Sequence, residues 1–379
     1  MQFGEGGAGT FSDGKLNTLV KDKWHRGKKV FDILVENGAP KEILYEHKPH
    51  IGTDLLRKVI INIRNKIISM GGEIRYRSLL TDISISEGKL VGVVVNGEEK
   101  ISCSVMVLAI GHSARDTFSW LYEKGVTMRG KPFAVGIRIQ HPQKLINENQ
   151  YGVKYAGLLG AASYKLTYTT KDSRGVYSFC MCPGGYVVNA SSEAGRLAIN
   201  GMSNHARDTE NANSALIVTV GPKDFGSFPL AGMEFQRKLE ECAFTAGDGK
   251  IPVQLFQDFL DGKVSTQFAS VAPVFKGAVS FADLNQVLPT YVSSSLKEAI
   301  AYFDKKIAGY ARKDAILAGV ESRTSSPIQI ERNHEGQANI LGLYPCGEGS
   351  GYAGGITTAA MDGLKIAESI IQKYAPKID

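Results

Sequence analysis

The sequence predicts an α/β protein in which one domain is interrupted by another, and three observations carry this prediction. The 379 residues are too many for one ordinary core and suit two domains. Dense glycine clusters lie at opposite ends of the chain, at residues 4–14 and 347–355. Between them the pattern of strands and helices changes near residue 132 and changes back near residue 324. We therefore expect a discontinuous α/β domain at 1–131 and 325–379, with an α+β domain inserted at 132–324.

The composition is that of an ordinary globular protein and excludes several other classes. Hydrophobic residues make up 43% and charged residues 22%, which excludes a disordered, collagen-like or coiled-coil chain. The 44 Lys and Arg against 38 Asp and Glu leave a net charge of +6. This balance suits a protein that handles small anionic ligands and is too weak to indicate nucleic acid binding. The longest apolar run, 105–110, is far shorter than the roughly 18 residues of a membrane helix.

Cysteine usage and the first residues favour a cytoplasmic location. Five cysteines are an odd number in a chain too large to need disulfides, which favours free thiols in a reducing compartment. The opening residues show no basic and apolar leader pattern. The expected partner is a small-molecule substrate, with no nucleic acid and no membrane, and no feature of the sequence indicates an oligomeric state.

Elements of the discontinuous domain follow from hydrophobic periodicity. A short helical pattern lies near 28–37, and Thr53 is the predicted N-cap of a second helix that ends at Gly71-Gly72. Apolar residues recur at helical spacing in that second helix, at Leu56, Val59, Ile60, Ile63 and Ile67. Short β-rich runs separated by turns at 87–88 and 96–97 follow, at 73–76, 82–86, 90–95 and 100–103. The unalternating apolar run 105–111 predicts a strand buried on both faces.

The inserted domain and the last segment are predicted in the same way. Strand-like runs in the insertion lie at 133–140, 162–170, 175–190 and 215–220. Helical patterns in the insertion lie at 231–246, 253–261 and 293–318. The last segment predicts a strand at 340–345, a glycine loop at 347–355 and a helix at 356–374. One face of this last helix is apolar, with Ile356, Ala360, Leu364, Ala367 and Ile371.

The first glycine segment is FGEGGAGTFSDGKLNT, residues 3–18. Its glycines allow backbone N–H groups to face an anion or a flat ring, and Ser12 and Lys15 add further donors. The segment is not a Walker A loop, because no Gly-Lys-Ser/Thr follows at the required spacing. It is not a dinucleotide fingerprint either, because no strand precedes it. The alternative is a flexible tail.

Two further segments combine a strand, a glycine turn and a helix. In VMVLAIGHSARD, residues 105–116, an apolar strand ends at Gly111 and Ser113 is the predicted N-cap of the next helix. In NILGLYPCGEGSGYAGGITTAAMDGLKIAESI, residues 339–370, a helix N-terminus at Ile356 follows the loop, and Glu348 at the strand end is placed to hydrogen-bond a hydroxyl. Ligands of open α/β sheets bind at the carboxyl ends of strands, where helix N-termini favour anions. The alternative in each case is a plain strand-to-helix turn.

Other residues with reactive or charged side chains give weaker indications of function. Cys180 and Cys182 are predicted on the same face of a strand, and inert buried thiols are favoured over a redox-active thiol at Cys182. The histidines show no metal-ligand spacing, and no metal site is expected. Three arginines could hold an anionic substrate: Arg138, Arg323 and Arg332. The commoner explanation of such arginines is that they are solvated or salt-bridged. No catalytic residue is indicated.

The segments 105–116 and 339–370 resemble the second and third FAD-contacting segments of glutathione-reductase-like flavoproteins. Together with FGEGGAGTFSDGK, IGHSARD, FCMCPGG, ESRTSSP and YPCGEGSGYAGGI, they make the chain similar to bacterial FAD-dependent dehydrogenases, most of which have no assigned substrate. The resemblance implies an FAD cofactor, a Rossmann-like fold for the discontinuous domain and oxidoreductase activity on a small molecule. The residues that it implies for cofactor binding are Gly4, Gly6, Gly7, Ala8, Gly9, Thr10, Gly111, His112, Gly347, Glu348, Gly355 and Ile356.

The resemblance also implies where each segment meets FAD. Residues 4–10 would lie along the cofactor, Gly111 and His112 would border the adenosine side, and Gly347 and Glu348 would meet the ribityl–pyrophosphate region. Residues 355–356 would face the flavin pyrimidine, where the helix dipole stabilises negative charge.

The family's pattern opens with a strand, a Gly-x-Gly-x-x-Gly turn and a helix, whereas this sequence opens at Met1-Gln2-Phe3. The expectation is therefore an incomplete FAD-binding domain that holds FAD weakly. Two other functions stay open: a non-catalytic ligand-binding or scaffold protein, and an RNA-modifying flavoprotein partner, which no aromatic–basic cluster supports.

Overall fold

The structure is a computed structural model that describes residues 5–18 and 20–375. Its helices are α1 (Arg26–Glu36), α2 (Thr53–Ser69), α3 (Arg115–Glu123), α4 (Gln143–Tyr151), α5 (Pro222–Phe225), α6 (Ala231–Ala246), α7 (Phe256–Asp261), α8 (Thr290–Phe303) and α9 (Ile356–Tyr374). Short 3₁₀ turns lie at Gly7–Phe11 and Lys41–Leu44.

The strands are β1 (Leu80–Ser86), β2 (Lys89–Val95), β3 (Glu99–Ser102), β4 (Met106–Leu108), β5 (Met128–Gly130), β6 (Phe133–Pro142), β7 (Thr167–Thr169), β8 (Gly175–Cys182), β9 (Tyr186–Asn189), β10 (Ile199–Met202), β11 (Asn211–Val220), β12 (Ile251–Leu255), β13 (Phe275–Lys276), β14 (Val279–Phe281), β15 (Ile316–Glu321), β16 (Ile328–Ile330) and β17 (Leu343–Pro345).

A seven-stranded sheet forms the largest layer, in the order β14-β12-β15-β6-β11-β8-β7. Strand β6 is central and alternates by period two. Val135, Ile137 and Ile139 join the main core, whereas Ala134 joins a separate cluster on the other face. Helices α6 and α8 pack against this sheet. A three-stranded sheet, β10-β9-β13, lies beside it.

Two helix predictions in this region are wrong. Residues 253–255 belong to strand β12, and helix α7 begins only at Phe256. The pattern at 293–318 divides into helix α8 and strand β15. In both cases an apolar run that helical spacing also fits is taken up by strand pairing, since β12 pairs with β15 and β15 pairs with β6. Short runs of this kind do not distinguish a helix from a buried strand.

The turns predicted at 87–88 and 96–97 are present in the β1-β2-β3 meander. Glu87 and Gly88 have φ of 49° and 74°, and Asn96 and Gly97 have φ of 54° and 80°. These are the left-handed conformations that tight hairpin turns require. The predicted strand at 73–76 does not form: residues 73–75 have no regular structure and Tyr76 lies in a bend before β1.

Strands β4 and β17 form a two-stranded parallel pair, in which Leu343 lies opposite Met106 and Pro345 lies opposite Leu108. The prediction of a strand buried on both faces is wrong here. Leu108 is buried and packs in a core cluster, but Val107 is 45% exposed. The reason is that successive side chains of a strand point to opposite faces, and the described elements cover only one of them.

Two predicted N-caps are corrected. Thr53 is the first residue of α2 and Gly52 precedes it; the Thr53 hydroxyl donates to the carbonyl oxygen of Thr10. Helix α3 begins at Arg115 after Ala114, so Ser113 lies one residue too early to cap it. Neither helix therefore has a side-chain cap, and the Thr53 hydroxyl instead joins α2 to a segment far away in the sequence.

Candidate functional site

A cleft of about 1060 Å³ lies between helices α1, α2 and α9 and the carboxyl ends of β4 and β17. Because β4 and β17 are parallel, the segments that follow them, 109–113 and 346–348, emerge at the same edge. The 3₁₀ turn Gly7–Phe11 approaches the same edge beside α2. This is the position at which open α/β sheets bind ligands, and the volume is at the upper end of small-molecule sites.

The structure brings ten of the twelve predicted residues together in the cleft lining: Gly6, Gly7, Ala8, Gly9, Gly111, His112, Gly347, Glu348, Gly355 and Ile356. Thr10 does not line the cleft. It is buried behind the turn, where its hydroxyl donates to the carbonyl oxygen of Gly7 at 2.9 Å. Gly4 lies outside the described residues. That these residues bind FAD stays a prediction.

Some glycines in the lining and directly beside it are required by the fold. A Cβ added at Gly349 would lie 2.2 Å from the carbonyl oxygen of Gly111, so the two loops pack backbone against backbone. Gly111 and Gly347 have φ of 71° and 76°, in the left-handed region that side chains disfavour.

Other glycines in the lining have no such requirement. At Gly355 the backbone is extended, with φ of 176°, and an added Cβ would meet no atom within 4 Å. Gly363 lies inside α9, where an added Cβ also meets no atom within 4 Å. Glycine inside a helix costs roughly 0.5–1 kcal/mol relative to alanine. Packing within the protein therefore does not explain these two glycines, whereas a flat ligand lying against α9 would.

The first turn of α9 presents free backbone donors to the cleft. No side chain caps this helix and its first turn carries no acidic residue. The initial N–H groups of a helix have no partner within the helix and carry partial positive charge. This end of the cleft is therefore suited to an anion or an electron-rich carbonyl.

A buried ion pair holds this loop and helix in place. Asp362 of α9 accepts from the Gly347 N–H at 2.8 Å and from Arg332 Nη1 at 2.9 Å. Burial alone would raise the pKa of Asp362, but the hydrogen bonds from Arg332 and from the Gly347 N–H outweigh it and lower that pKa. Arg332 also donates to the carbonyl oxygen of Pro345 at 2.9 Å. The end of β17 and the start of the glycine loop are thus fixed to the helix.

His112 contributes a polar atom to the cleft. Its Nε2 lies 3.1 Å from Gln236 Nε2 and 3.3 Å from Gln236 Oε1. Its Nδ1 is buried and has no hydrogen-bond partner among the described residues, although Glu348 Oε1 is 3.5 Å away. A buried polar atom without a partner is costly. This atom is available to a ligand.

A second buried charge cluster lies beside His112 and consists of Glu240, Arg115 and Arg323. Glu240 accepts from Arg115 Nη2 at 2.8 Å and from Arg323 Nη2 at 2.8 Å. Burial by itself would raise the pKa of Glu240, but hydrogen bonds from Arg323 and Arg115 lower it to about 2. Arg323, which follows β15, also lines the cleft, so the cluster joins the seven-stranded sheet to the cleft wall.

The three arginines singled out in the sequence are all salt-bridged, as the commoner explanation predicts. Arg138 pairs with Glu321, Arg323 with Glu240 and Arg332 with Asp362.

The two cysteines do not share one face of a strand, which corrects that prediction. Cys180 has φ of 40° beside a register shift in the β8–β11 pairing, and it is exposed, whereas Cys182 is buried. Burial raises the pKa of the Cys182 thiol even though Arg138 Nη1 lies 4.0 Å from its sulfur. A thiol with a raised pKa is a poor nucleophile.

Sequence reasoning missed the apolar walls of the cleft. They comprise Val30, Ile33 and Leu34 of α1, Leu56, Ile60, Ile63 and Ile67 of α2, and Ala359, Ala360, Gly363 and Leu364 of α9. The apolar spacing in α2 and α9 predicted that one face of each helix is apolar, but not that this face borders a cleft. The signal that could have separated them is Gly363, a glycine inside an otherwise regular helix.

A protein-family model described as "FAD-dependent protein, C-terminal domain-like" matches residues 132–324. The chain belongs to this FAD-dependent protein family. An uncharacterized protein of Clostridium beijerinckii is 57% identical over 380 residues, which cover 99% of this chain and 71% of that protein.

Solved structures are more distant from this member of the FAD-dependent family. The glycerol-3-phosphate dehydrogenase of Bacillus halodurans, solved with FAD, has 12% identity and a TM-score of 0.39, with 98% of this chain and 58% of that chain covered. Glycine oxidase of Bacillus cereus has 10% identity and a TM-score of 0.36, with 87% and 59% covered. The chain thus spans less than three-fifths of these two proteins.

Two kinds of feature are absent from the described residues. No helix in the described ranges is both long and apolar enough to cross a bilayer. Within the same ranges, no group of three or more His, Cys, Asp or Glu side chains is arranged to hold a metal ion.

Proposed function

We propose that this protein is an FAD-dependent oxidoreductase that acts on a small molecule and holds FAD in the 1060 Å³ cleft. The observation that carries the proposal is the pair Gly355 and Gly363, which line the cleft although neither packing nor φ requires glycine there. In a chain of an FAD-dependent family, a flavin lying against α9 explains both residues.

The remaining assignments follow the strand ends around the cleft. Gly7 and Gly9 lie along the cofactor, and Gly111 with His112 borders the adenosine side. Glu348 accepts a hydrogen bond from a ribityl or ribose hydroxyl. The parallel pair β4–β17 leading into α9 supports this glutathione-reductase-like arrangement.

A bound flavin supplies hydride acceptance and donation. The chain itself supplies three things. The first turn of α9 places partial positive charge where the reduced ring would carry negative charge. Apolar side chains of α2, such as Ile60 and Ile63, exclude water from the cleft. The Asp362–Arg332 pair holds the glycine loop rigid.

The affinity for FAD is expected to be moderate. Arg323 is the one cationic side chain among the described lining residues, and Glu240 already engages it. Backbone donors at α9 must therefore hold the cofactor with little help from side-chain charge. We expect a dissociation constant on the order of 1–10 µM, about −7 to −8 kcal/mol.

Titration of the purified protein with FAD, followed by quenching of flavin fluorescence, tests the proposal. The expected result is saturable binding of one FAD, with FMN binding more weakly because it lacks the adenosine half. Anaerobic bleaching of the bound flavin by a panel of small metabolites then tests the redox assignment. Absence of FAD binding would overturn the cofactor site, and bound flavin that no metabolite reduces would favour a non-catalytic holder.

A further inference from the structure

A second cavity, of about 180 Å³, lies directly beside the cleft. One side of it is formed by the Gly7–Phe11 turn and by α2, and the other by the sheet β10-β9-β13. Ala8 and Asn200 line both the cavity and the cleft. A molecule in this cavity would therefore be a neighbour of a molecule in the cleft.

Two cationic side chains line the cavity, and none of its described lining residues is acidic. The cationic side chains are Arg57 from α2 and Lys276 from β13. The Arg57 guanidinium lies 5.4 Å from the centre of the Phe11 ring, and the Lys276 ammonium lies 4.2 Å from the centre of the Tyr186 ring.

Neither cation has a carboxylate partner among the described residues, which sets them apart from nearby arginines. Arg64, two turns further along α2, is paired with Glu5 at 2.8 Å. Arg207 is paired with Asp13. Two unpaired cations on one small concave surface produce a positive potential that attracts an anion.

The rest of the cavity wall is apolar apart from two amides. Val188, Ala190 and Met202 line the cavity and are themselves buried. Asn200 is held in a fixed orientation, because its Oδ1 accepts from Arg138 Nη2 at 3.0 Å. The cavity therefore combines a cationic side with an apolar floor.

We propose that this cavity binds a short-chain organic acid. Arg57 and Lys276 hold its carboxylate, and its carbon chain lies against Val188 and Met202. A volume of about 180 Å³ is suited to a small acid, on the order of six to eight non-hydrogen atoms. The assignment of this acid as the substrate rests on the proposed function. The binding of the acid to the cavity does not depend on that function.

Binding of butyrate to the purified protein, measured by ligand-observed NMR without flavin, tests the proposal. We expect butyrate to bind, and butyramide, which has the same shape without the charge, to bind at least tenfold more weakly. Arg57→Gln and Lys276→Gln should each weaken butyrate binding by about tenfold to a hundredfold, since each removes one charge-assisted contact.

Matched controls remove the same charge elsewhere. Arg77→Gln and Lys58→Gln change exposed residues that do not line the cavity, and both should bind butyrate as the parent does. No binding of butyrate by the parent, or equal losses in the cavity and control variants, would overturn the proposal. Inorganic phosphate that binds as tightly as butyrate would also overturn it, because the apolar floor would then contribute nothing.

An FAD titration of the same variants separates this proposal from the cofactor proposal. Arg57→Gln and Lys276→Gln should bind FAD like the parent. Normal FAD binding without butyrate binding would overturn the acid pocket alone. Butyrate binding without FAD binding would overturn the cofactor cleft and leave the pocket standing.

Discussion

The side-chain amide of Asn200 donates a hydrogen bond to the carbonyl oxygen of Phe11, 3.3 Å away. The Oδ1 of the same amide accepts from Arg138, which is fully buried and paired with Glu321 at 2.8 Å. The glycine-rich turn is thereby tied to the centre of the seven-stranded sheet. Since Asn200 lines both cavities, this connection sets the position of the wall between them.

Asn200→Ala should loosen that wall. It removes the bond to Phe11 and leaves a buried donor of Arg138 without its partner, which should cost about 1–3 kcal/mol of unfolding free energy. Urea denaturation measures the loss, and proteolysis should become faster within residues 7–18. Asn62→Ala removes one amide-to-carbonyl bond elsewhere and should not change cleavage in the turn; equal cleavage in both variants would contradict the assignment.

Gly363→Ala should stabilise the protein and weaken FAD binding together. Alanine is better than glycine inside a helix by about 0.5–1 kcal/mol, and its methyl group meets no protein atom within 4 Å. Thermal unfolding and FAD titration measure the two effects. Gly232→Ala in α6 is the contrasting control, because the added Cβ would lie 2.9 Å from Pro327 Cβ. This substitution should therefore destabilise the protein. Unchanged FAD affinity in Gly363→Ala, and in a bulkier Gly363→Leu variant, would show that the cofactor does not reach α9 there.

Gly355→Val should abolish FAD binding and leave the fold intact. The extended backbone accepts valine, and its side chain would extend into the cleft. The unfolding free energy should fall by no more than about 0.5–2 kcal/mol, because valine is a poorer N-cap than glycine. Gly160→Val is the control, since that glycine also has free space around an added Cβ and does not line the cleft. Stoichiometric FAD in Gly355→Val would remove this loop from the cofactor site.

Glu240→Gln should be strongly destabilising at neutral pH. It leaves Arg115 and Arg323 buried without their shared carboxylate, which costs about 3–5 kcal/mol. Glu241→Gln is the matched control, because Glu241 is exposed and pairs only at the surface with Arg196; its cost should stay below about 1 kcal/mol. Similar losses from the two substitutions would argue against a structural role for the buried cluster.

The same carboxylate predicts a pH dependence. The pKa of Glu240 falls to about 2 in the folded protein from about 4.5 in the unfolded chain. Its stabilising contribution is therefore complete above pH 4.5 and is lost as the pH falls towards 2. The difference in unfolding free energy between parent and Glu240→Gln should shrink between pH 6 and pH 3. A difference that stays constant over this range would show that the Glu240 charge is not what stabilises the cluster.

Local sequence determined the turns and most element types, and the family resemblance supplied the ten predicted residues that line the cleft. Asn96-Gly97 predicts its hairpin turn because left-handed φ angles suit few other residues. The segments after β4 and β17 could be predicted to converge, because the carboxyl ends of parallel strands share one edge. The helix at 356–374 likewise follows from its own periodicity.

Only the tertiary structure decided which apolar surfaces are core and which are open. Ile356 and Leu364 pack on one side against the buried apolar cluster of α1 and α2, and together with Ala360 they also line the cleft, while Thr357 and Ile366 are buried. Strand β12 replaced part of a predicted helix because β15, more than 50 residues away, pairs with it. The pocket of Arg57 and Lys276 joins residues separated by more than 200 positions. Hydrophobic periodicity reports that a face is apolar, but whether another element or a cavity lies against that face depends on contacts that no local window of sequence contains.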